Sequence, residues 1–197
     1  MRKFLIPLAV LLLLAGCGKP PLNADSRGRN IVAFGDSITA GYGVAEGEAY
    51  PAFLAKLTRR PVINLGVSGD TMRMGADRKS EISQHNPFIV LIEFGGNDAM
   101  KSRPLAETEK ALAEIIDYVQ RSGAIAVVID TGGIFRMNAQ SKMMKRMAKE
   151  KRALFVPAIM KGILNKSDLK VDTIHPNAKG HKIIADRIYE VIRPYTK

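Results

Sequence analysis

The chain has 197 residues, 46% of them hydrophobic, and this length gives room for one domain with a substantial core but not for two domains of typical size. Its single cysteine excludes an intrachain disulfide. The formal charge of +11 favours anionic partners, but no DNA- or RNA-reading motif accompanies it, so we expect no nucleic-acid partner.

The first sixteen residues have the order of a secretion signal. Arg2 and Lys3 form a positive start, an apolar run follows over residues 4–14, and small residues come next. The run is shorter than the roughly 20 apolar residues that a transmembrane helix needs. We therefore expect a signal peptide over residues 1–16 that takes no part in the fold.

The residues around Cys17 suggest a lipid anchor. Leu14-Ala15-Gly16-Cys17 resembles a bacterial lipobox, which implies cleavage before Cys17 and attachment of a lipid to it. The alternative is an ordinary signal peptide with a chance cysteine, but a free thiol is an unusual choice in an oxidising compartment. We expect a protein of the cell envelope, anchored on the periplasmic side of a bacterial membrane. Residues 17–29 show no apolar periodicity and are predicted to form a tether.

From residue 30 onward, short apolar runs alternate with helical patterns. The runs predicted as strands are 31–34, 62–65, 87–94, 124–129 and 154–157, and the predicted helices are 48–60, 72–85, 104–122, 138–152 and 176–193. Five alternations with short connections predict one α/β domain over residues 30–197. Its core is a doubly wound parallel five-stranded sheet with helices on both faces.

The helix predicted over residues 138–152 is basic. Its cations suit an anionic surface such as lipid headgroups, but they also suit an ordinary solvated helix face. Met143, Met144 and Met147 recur at helical spacing, which favours packing in the core over binding of an acyl chain. The role of this helix stays open at this point.

Ser37 is the candidate nucleophile. It follows the first predicted strand within Gly35-Asp36-Ser37, at the carboxyl end of that strand, where ligands collect in an open α/β sheet. Asp36, Ser37 and Thr39 are also residue types that begin helices, so the tripeptide alone leaves helix capping as an equal alternative.

The base that a serine nucleophile needs is predicted near the end of the chain. Asp172 and His175 lie three residues apart, so the carboxylate can accept the Nδ1 proton while Nε2 faces Ser37. His85 is expected at the opposite edge of the sheet, and His181 inside the last helix, meeting solvent or a charged neighbour. A helix-cap role for His175 is the alternative.

Three groups are candidates for stabilising a negatively charged tetrahedral intermediate. They are the Ser37 amide, the Gly69 amide and the side-chain amide of Asn97, each at the exit of a predicted strand. Gly69 could instead be only a turn residue, and Asn97 or Asp98 only a helix cap.

Together these residues resemble the four motif blocks of the SGNH, or GDSL-type, hydrolases. The matching blocks are Gly35-Asp36-Ser37, Gly69, Gly96-Asn97-Asp98 and Asp172-x-x-His175. The longer strings over 64–71 and 93–98 are similar to the bacterial arylesterase, thioesterase and lysophospholipase branch, and the resemblance spans about residues 30–193. It implies a flavodoxin-like sheet and no metal or organic cofactor. It also implies Ser37 as nucleophile, His175 as base, Asp172 as its orienting group, and oxyanion donors from Ser37, Gly69 and Asn97.

The resemblance implies a serine esterase that hydrolyses carboxylic esters or thioesters through an acyl-enzyme. Short acyl esters, acyl thioesters and lysophospholipids are the expected substrates. The alternatives are an O-acetyl esterase acting on cell-wall or secreted carbohydrate, and a non-catalytic binding module on the same scaffold. Residues 131–160 depart from that branch, which leaves the acyl-chain preference open.

Overall fold

A computed structural model describes residues 19–132 and 138–196. The predicted signal peptide and Cys17 lie outside these residues. None of the helices in the described ranges is long and apolar enough to cross a membrane.

The centre of the domain is a five-stranded, fully parallel sheet. Its strands are β1 (Asn30–Gly35), β2 (Val62–Gly66), β3 (Pro87–Glu93), β4 (Ile125–Ile129) and β5 (Leu154–Val156). They lie in the order β2-β1-β3-β4-β5, so the chain starts in the middle and winds outward in both directions. Every residue of β3 is buried, as expected for a central strand covered on both faces. The predicted fold class is confirmed.

The helices divide between the two faces of the sheet. They are α1 (Ser37–Ala40), α2 (Tyr50–Thr58), α3 (Met72–Asp77), α4 (Gly96–Met100), α5 (Leu105–Arg121), α6 (Asn138–Glu150) and α7 (Ala178–Ile192). Helices α2 and α7 cover one face, where Tyr50 and Ile184 join a core cluster with Ile31 and Leu91. Helices α3, α5 and α6 cover the other face. Successive strand side chains point to opposite faces of the sheet, so the domain has two hydrophobic cores, one on each face.

The helix predicted over residues 72–85 is in fact two shorter pieces. Helix α3 ends at Asp77, and a 3₁₀ helix continues over Lys79–His85. At the junction the Arg78 amide donates to the carbonyls of Met74 and Gly75. Gly75 weakens the helix but is needed for packing, because a Cβ there would lie 2.5 Å from the Phe94 ring.

Helix α6 combines a buried methionine face with exposed cations. Met143, Met144 and Met147 belong to the core, as predicted. On the exposed side, Arg146 pairs with Glu109 and with Glu150.

Part of the segment that precedes β1 contacts the domain. The Leu22 amide donates to the Arg152 carbonyl, and Pro21 is buried. The Asn23 side chain donates to the carbonyls of Gln120 and Ala124. These contacts hold the chain against the end of the domain where the strands begin.

Candidate active site

Ser37 is the first residue of α1, and only Asp36 separates it from the end of β1. Only glycine fits at position 35, the last residue of β1, because a Cβ there would meet the Glu93 carbonyl at 2.5 Å. Asp36 caps the short helix, with its Oδ1 accepting from the Ile38 amide at 3.1 Å. The capping and nucleophile interpretations are therefore compatible, because the cap is Asp36 and the Ser37 hydroxyl faces the sheet edge.

The structure brings Ser37, His175 and Asp172 together although 138 positions separate Ser37 from His175. His175 Nε2 lies 3.0 Å from Ser37 Oγ, and His175 Nδ1 lies 2.7 Å from Asp172 Oδ2. Asp172 also accepts hydrogen bonds at Oδ1 from the amides of Ile174 and His175. The loop before α7 thus holds both groups in one fixed arrangement.

The charge on Asp172 determines the tautomer of His175. Partial burial alone would raise the pKa of Asp172, but hydrogen bonds from the His175 and Ile174 amides and from the imidazole lower it to about 2. The carboxylate is therefore ionised and accepts the Nδ1 proton, which leaves Nε2 as the acceptor for the Ser37 hydroxyl. The Tyr42 ring lies 4.5 Å from the imidazole and covers it from the side.

Asn97, one of the predicted oxyanion donors, lies beside Ser37, and its side-chain amide has two hydrogen-bond partners. Its Nδ2 donates to the Asp70 carbonyl at 2.9 Å and, in a longer bond, to Asp36 Oδ2 at 3.3 Å. Gly69 has a φ of +88°, a conformation that favours glycine. The Gly69 carbonyl accepts from Lys101 Nζ at 2.9 Å, which ties this loop to the end of α4.

A buried carboxyl pair beneath Ser37 was not predicted from the sequence. Burial raises the pKa of Asp36 to about 6, and it raises that of the fully buried Glu93 far above its usual range. Thr39 donates to Glu93 Oε2 at 2.8 Å and lies 3.0 Å from the Tyr50 hydroxyl. Burial therefore favours the protonated form of both carboxyls, and it does so more strongly for Glu93. The sequence feature that could have indicated this pair is Glu93, the one acidic residue at the end of an otherwise apolar strand.

Arg78 is a second group that the sequence did not reveal. Its Nε lies 2.7 Å from Asp70 Oδ2, and its Nη2 donates to the Gly35 carbonyl at 3.2 Å. The guanidinium also lies over the Phe34 ring at 4.4 Å. Arg78 thereby joins the end of β1 to the loop that carries Gly69.

The two remaining histidines lie away from Ser37. His85 is at the opposite edge of the sheet, as expected, where its carbonyl accepts from the Asn30 side chain. The prediction that His181 meets solvent or a charged neighbour is wrong. Its ring is fully buried between α7 and α2, and Nδ1 accepts from the Tyr50 amide at 3.2 Å. This contact satisfies the first turn of α2, and burial lowers the pKa of His181 to about 4.

A small crevice opens beside the Ser37 hydroxyl. Its volume is about 20 Å³, close to the space that one water occupies. Apolar side chains form much of its wall, namely Ile38, Met100 and Ile174. No group of three His, Cys, Asp or Glu side chains suited to a metal ion occurs within residues 19–132 and 138–196.

Comparisons with known proteins point to one family. The sequence matches the GDSL-like Lipase/Acylhydrolase family over residues 33–183. It is 30% identical over 173 residues to "Thioesterase 1/protease 1/lysophospholipase L1" of Escherichia coli K12, which covers 83% of each chain. It is also 25% identical to the "Arylesterase" of Vibrio mimicus, over 83% of this chain and 88% of the relative.

Solved structures show the same fold. The crystal structure of TesA superimposes with a TM-score of 0.78 at 23% identity, covering 85% of this chain and 99% of the other. The esterase AlinE4, described as an SGNH-hydrolase family member, has a TM-score of 0.64 at 30% identity and covers 85% and 94% of the two chains. The resemblance noted from the motif blocks is confirmed: this chain belongs to the GDSL-like lipase/acylhydrolase family.

Proposed function

We propose that this hydrolase is a serine esterase that cleaves carboxylic esters or thioesters through an acyl-enzyme on Ser37. The observation that carries the proposal is the continuous hydrogen-bonded series from Ser37 through His175 to Asp172, with distances of 3.0 and 2.7 Å. A serine hydroxyl is a weak nucleophile unless a neighbouring base takes its proton, and this arrangement supplies the base and the group that orients it.

The reaction follows from the positions of these groups. Ser37 Oγ attacks the ester carbonyl while its proton moves to His175 Nε2, and Asp172 stabilises the resulting imidazolium. The C–O or C–S bond then breaks, and His175 returns the proton to the departing alcohol or thiol. A water molecule, deprotonated by His175, attacks the acyl-enzyme. This second step releases the carboxylic acid and restores the Ser37 hydroxyl.

The negative charge on the tetrahedral oxygen requires donors that are already in place. We assign this role to the Ser37 and Gly69 amides and to the side chain of Asn97. Asn97 would use the proton that it gives in the longer bond to Asp36, while its shorter bond to the Asp70 carbonyl keeps the amide in position.

The size of the crevice supports a preference for short acyl groups. A space of about 20 Å³ bounded by Ile38, Met100 and Ile174 leaves no room to enclose a long acyl chain. The relatives' names include thioesterase, lysophospholipase and arylesterase. We infer that short acyl esters and thioesters are better substrates for this chain than lysophospholipids.

Serine-probe labelling and an acyl-chain profile test the proposal. Purified protein should react with a fluorophosphonate and hydrolyse p-nitrophenyl acetate faster than longer p-nitrophenyl esters. Ser37→Ala should remove labelling and turnover while thermal unfolding stays unchanged, and His175→Ala should remove nearly all turnover. Intact protein that is folded but shows neither labelling nor turnover would instead favour the non-catalytic binding module.

The small crevice also suits a second candidate, an O-acetyl esterase acting on cell-wall or secreted carbohydrate. The two candidates share the acyl group and differ in the alcohol. Acetylated sugars and p-nitrophenyl acetate should therefore be compared at equal concentration. A clear excess of kcat/KM for the sugar esters would favour the carbohydrate esterase.

We also propose that a lipid on Cys17 anchors the protein on the periplasmic side of a bacterial membrane. The proposal rests on the lipobox-like residues 14–17 and on Cys17 being the one cysteine in the sequence. After a high-salt wash, which removes proteins held to membranes by charge alone, Cys17→Ser should be in the soluble periplasmic fraction, whereas Ser37→Ala should stay with the membranes. A Cys17→Ser protein that stays in the membrane fraction after this wash contradicts the anchor.

A further inference from the structure

The edge of the sheet where the strands begin, opposite Ser37, is surrounded by basic side chains. We call this surface the basic face. Its members come from three helix ends and from the segment before β1: Lys19, Arg27, Arg29, Arg59, Arg60, Arg121, Lys149 and Arg152. All are exposed except Arg60, which is half-buried over the Phe88 ring.

Most acidic side chains near this edge are engaged in ion pairs, and the exception is the exposed Asp25 in the segment before β1. Asp117 pairs with Lys151, Glu150 pairs with Arg146, and Glu190 pairs with Arg193. Within residues 19–132 and 138–196, no carboxylate lies within 4.0 Å of a cationic group of the basic face. The eight cations of the basic face therefore outnumber the one carboxylate nearby that has no ion-pair partner, Asp25, and the face keeps a large positive charge.

Helix ends alone do not account for this charge. Cations near the carboxyl end of a helix are favoured by its dipole, which explains residues such as Arg121 and Lys149. Lys19, Arg27 and Arg29, however, belong to the non-helical segment that precedes β1. This segment adds positive charge to the same edge without any benefit to a helix.

The start of the described chain lies on the same face. Arg152 donates from Nε and Nη2 to the Pro20 carbonyl, which holds the chain at the end of α6. Lys19, Lys149 and Tyr195 line a groove of about 450 Å³ at this point. The apolar run over residues 4–14 and Cys17 come directly before it, so any attachment there would place the membrane beside the basic face.

We propose that the basic face is a docking surface for an anionic phospholipid membrane, which holds the Ser37 edge turned away from the lipid. Strands of five to seven residues separate the two edges by roughly 20 Å, so Ser37 would face the aqueous phase. The site would then receive water-soluble esters rather than lipids of the membrane to which the protein is docked. The docking surface neither requires nor alters the proposed esterase activity.

Vesicle sedimentation tests the electrostatic part. Both core clusters lie between residues 31 and 192, so a chain starting at Lys19 keeps the complete core and lacks the apolar run and Cys17. It should sediment with vesicles of phosphatidylglycerol and phosphatidylcholine at low salt, but not with phosphatidylcholine alone. Each basic side chain near an anionic surface strengthens partitioning about fivefold. The triple variant Arg59→Gln, Arg121→Gln, Lys149→Gln should therefore bind at least about tenfold more weakly.

A matched control removes three exposed cations from the opposite side. This control variant carries Lys142→Gln, Lys161→Gln and Lys166→Gln and has the same net charge as the test variant. It should bind the vesicles within about twofold of the parent. Both triple variants should hydrolyse p-nitrophenyl acetate at the rate of their parent, so a missing activity would count against the esterase proposal only. Equal losses in both variants would contradict a localised face. A parent that binds a soluble polyanion but no anionic vesicle would contradict the membrane as partner.

Fluorescence quenching tests the orientation. The chain starting at Lys19 contains no cysteine, so a single label can be attached at Ser122→Cys on the basic face or at Ser167→Cys on the Ser37 side. A quencher carried by the lipid should reduce the emission of the first label and leave the second nearly unchanged. Equal quenching at both positions, or stronger quenching at Ser167→Cys, would overturn the proposed orientation.

Discussion

At the scale of single residues, the candidate site contains side chains that use one hydrogen bond to hold their position and keep another group for the reaction. Asn97 shows this division, because one of its protons is held by the Asp70 carbonyl at 2.9 Å while the other has a weaker partner in Asp36 at 3.3 Å. A strong bond to the backbone keeps the amide in place. The weaker bond is the one that a charged oxygen can replace.

Replacing Asn97 should therefore affect turnover more than substrate binding. Asn97→Ala removes a donor that acts on the developing charge, and loss of one such donor costs on the order of a hundredfold in kcat. The measurement is kcat and KM for p-nitrophenyl acetate, with thermal unfolding as the test of folding. A decrease in kcat below about threefold would remove Asn97 from the site.

The residues found from the sequence and those missed differ in a physical way. Ser37 and Asn97 lie in the first turns of short helices that follow strands, and His175 lies in the loop before α7. Polar side chains in short motifs are visible there against an apolar background. Glu93 belongs to a buried strand, and its effect depends on Asp36 and Thr39, which only the fold brings close. Arg78 likewise acquires its partners through tertiary contacts with Asp70 and Gly35.

At the scale of elements, Arg78 connects three parts of the chain that form the site. It links the junction after α3 to the end of β1 and to Asp70 in the loop of Gly69. The Asp70 side chain is 5% exposed, so removal of the guanidinium leaves a buried carboxylate without its counter-charge. Such unpaired charges typically cost several kcal/mol.

Arg78→Ala should lower the free energy of unfolding by about 3 kcal/mol. The control is Arg73→Ala, which breaks the more exposed pairs with Asp77 and Glu114 and should cost at most about 1 kcal/mol. Adding Asp70→Asn to Arg78→Ala should recover part of the loss, because the buried charge is then absent. Urea unfolding measures all three differences, and an Arg78→Ala effect no larger than that of Arg73→Ala would contradict the buried pair.

The elements themselves were predicted well where their apolar pattern is long. The run over residues 87–94 differs from β3 by one residue, and helix 104–122 differs from α5 by one residue at each end. The helix over 72–85 was not predicted correctly, because the Arg78 amide shares its hydrogen bond between the Met74 and Gly75 carbonyls and the chain continues as a 3₁₀ helix. Local periodicity shows which face of a segment is buried, but it does not show where an α-helix changes to a 3₁₀ helix.

At the scale of the whole molecule, the parallel sheet gives the domain two chemically different ends. The carboxyl ends of the strands gather Ser37, Gly69 and Asn97, while the opposite end collects the terminal cations of the helices. The alternation of strands and helices was enough to predict this polarity, because every crossover returns the chain to the same edge. The depth of the crevice and the burial of His181 depend on packing between elements and were not accessible from the sequence.

His181 makes the stability of the whole molecule depend on pH. Burial lowers its pKa from 6.5 to about 4 in the folded protein. As the pH falls below about 6.5, His181 binds a proton in the unfolded chain but not in the folded protein. The free energy of unfolding therefore decreases until about pH 4, where the folded protein also binds the proton. The raised pKa of Asp36 has the opposite effect as the pH falls from about 6, because there the folded protein binds the proton more readily.

The variant His181→Gln separates the effect of His181 on stability from that of Asp36. Its side chain can still accept a hydrogen bond from the Tyr50 amide but does not titrate. Asp36 is present in both proteins, so its effect cancels in the comparison. The free energy of unfolding of the unmodified protein, relative to that of His181→Gln, should fall by about 3 kcal/mol between about pH 6.5 and about pH 4. Urea unfolding at several pH values measures this difference. A difference that stays constant over the range would mean that His181 binds a proton equally well in the folded and unfolded chain, which contradicts its burial between α7 and α2.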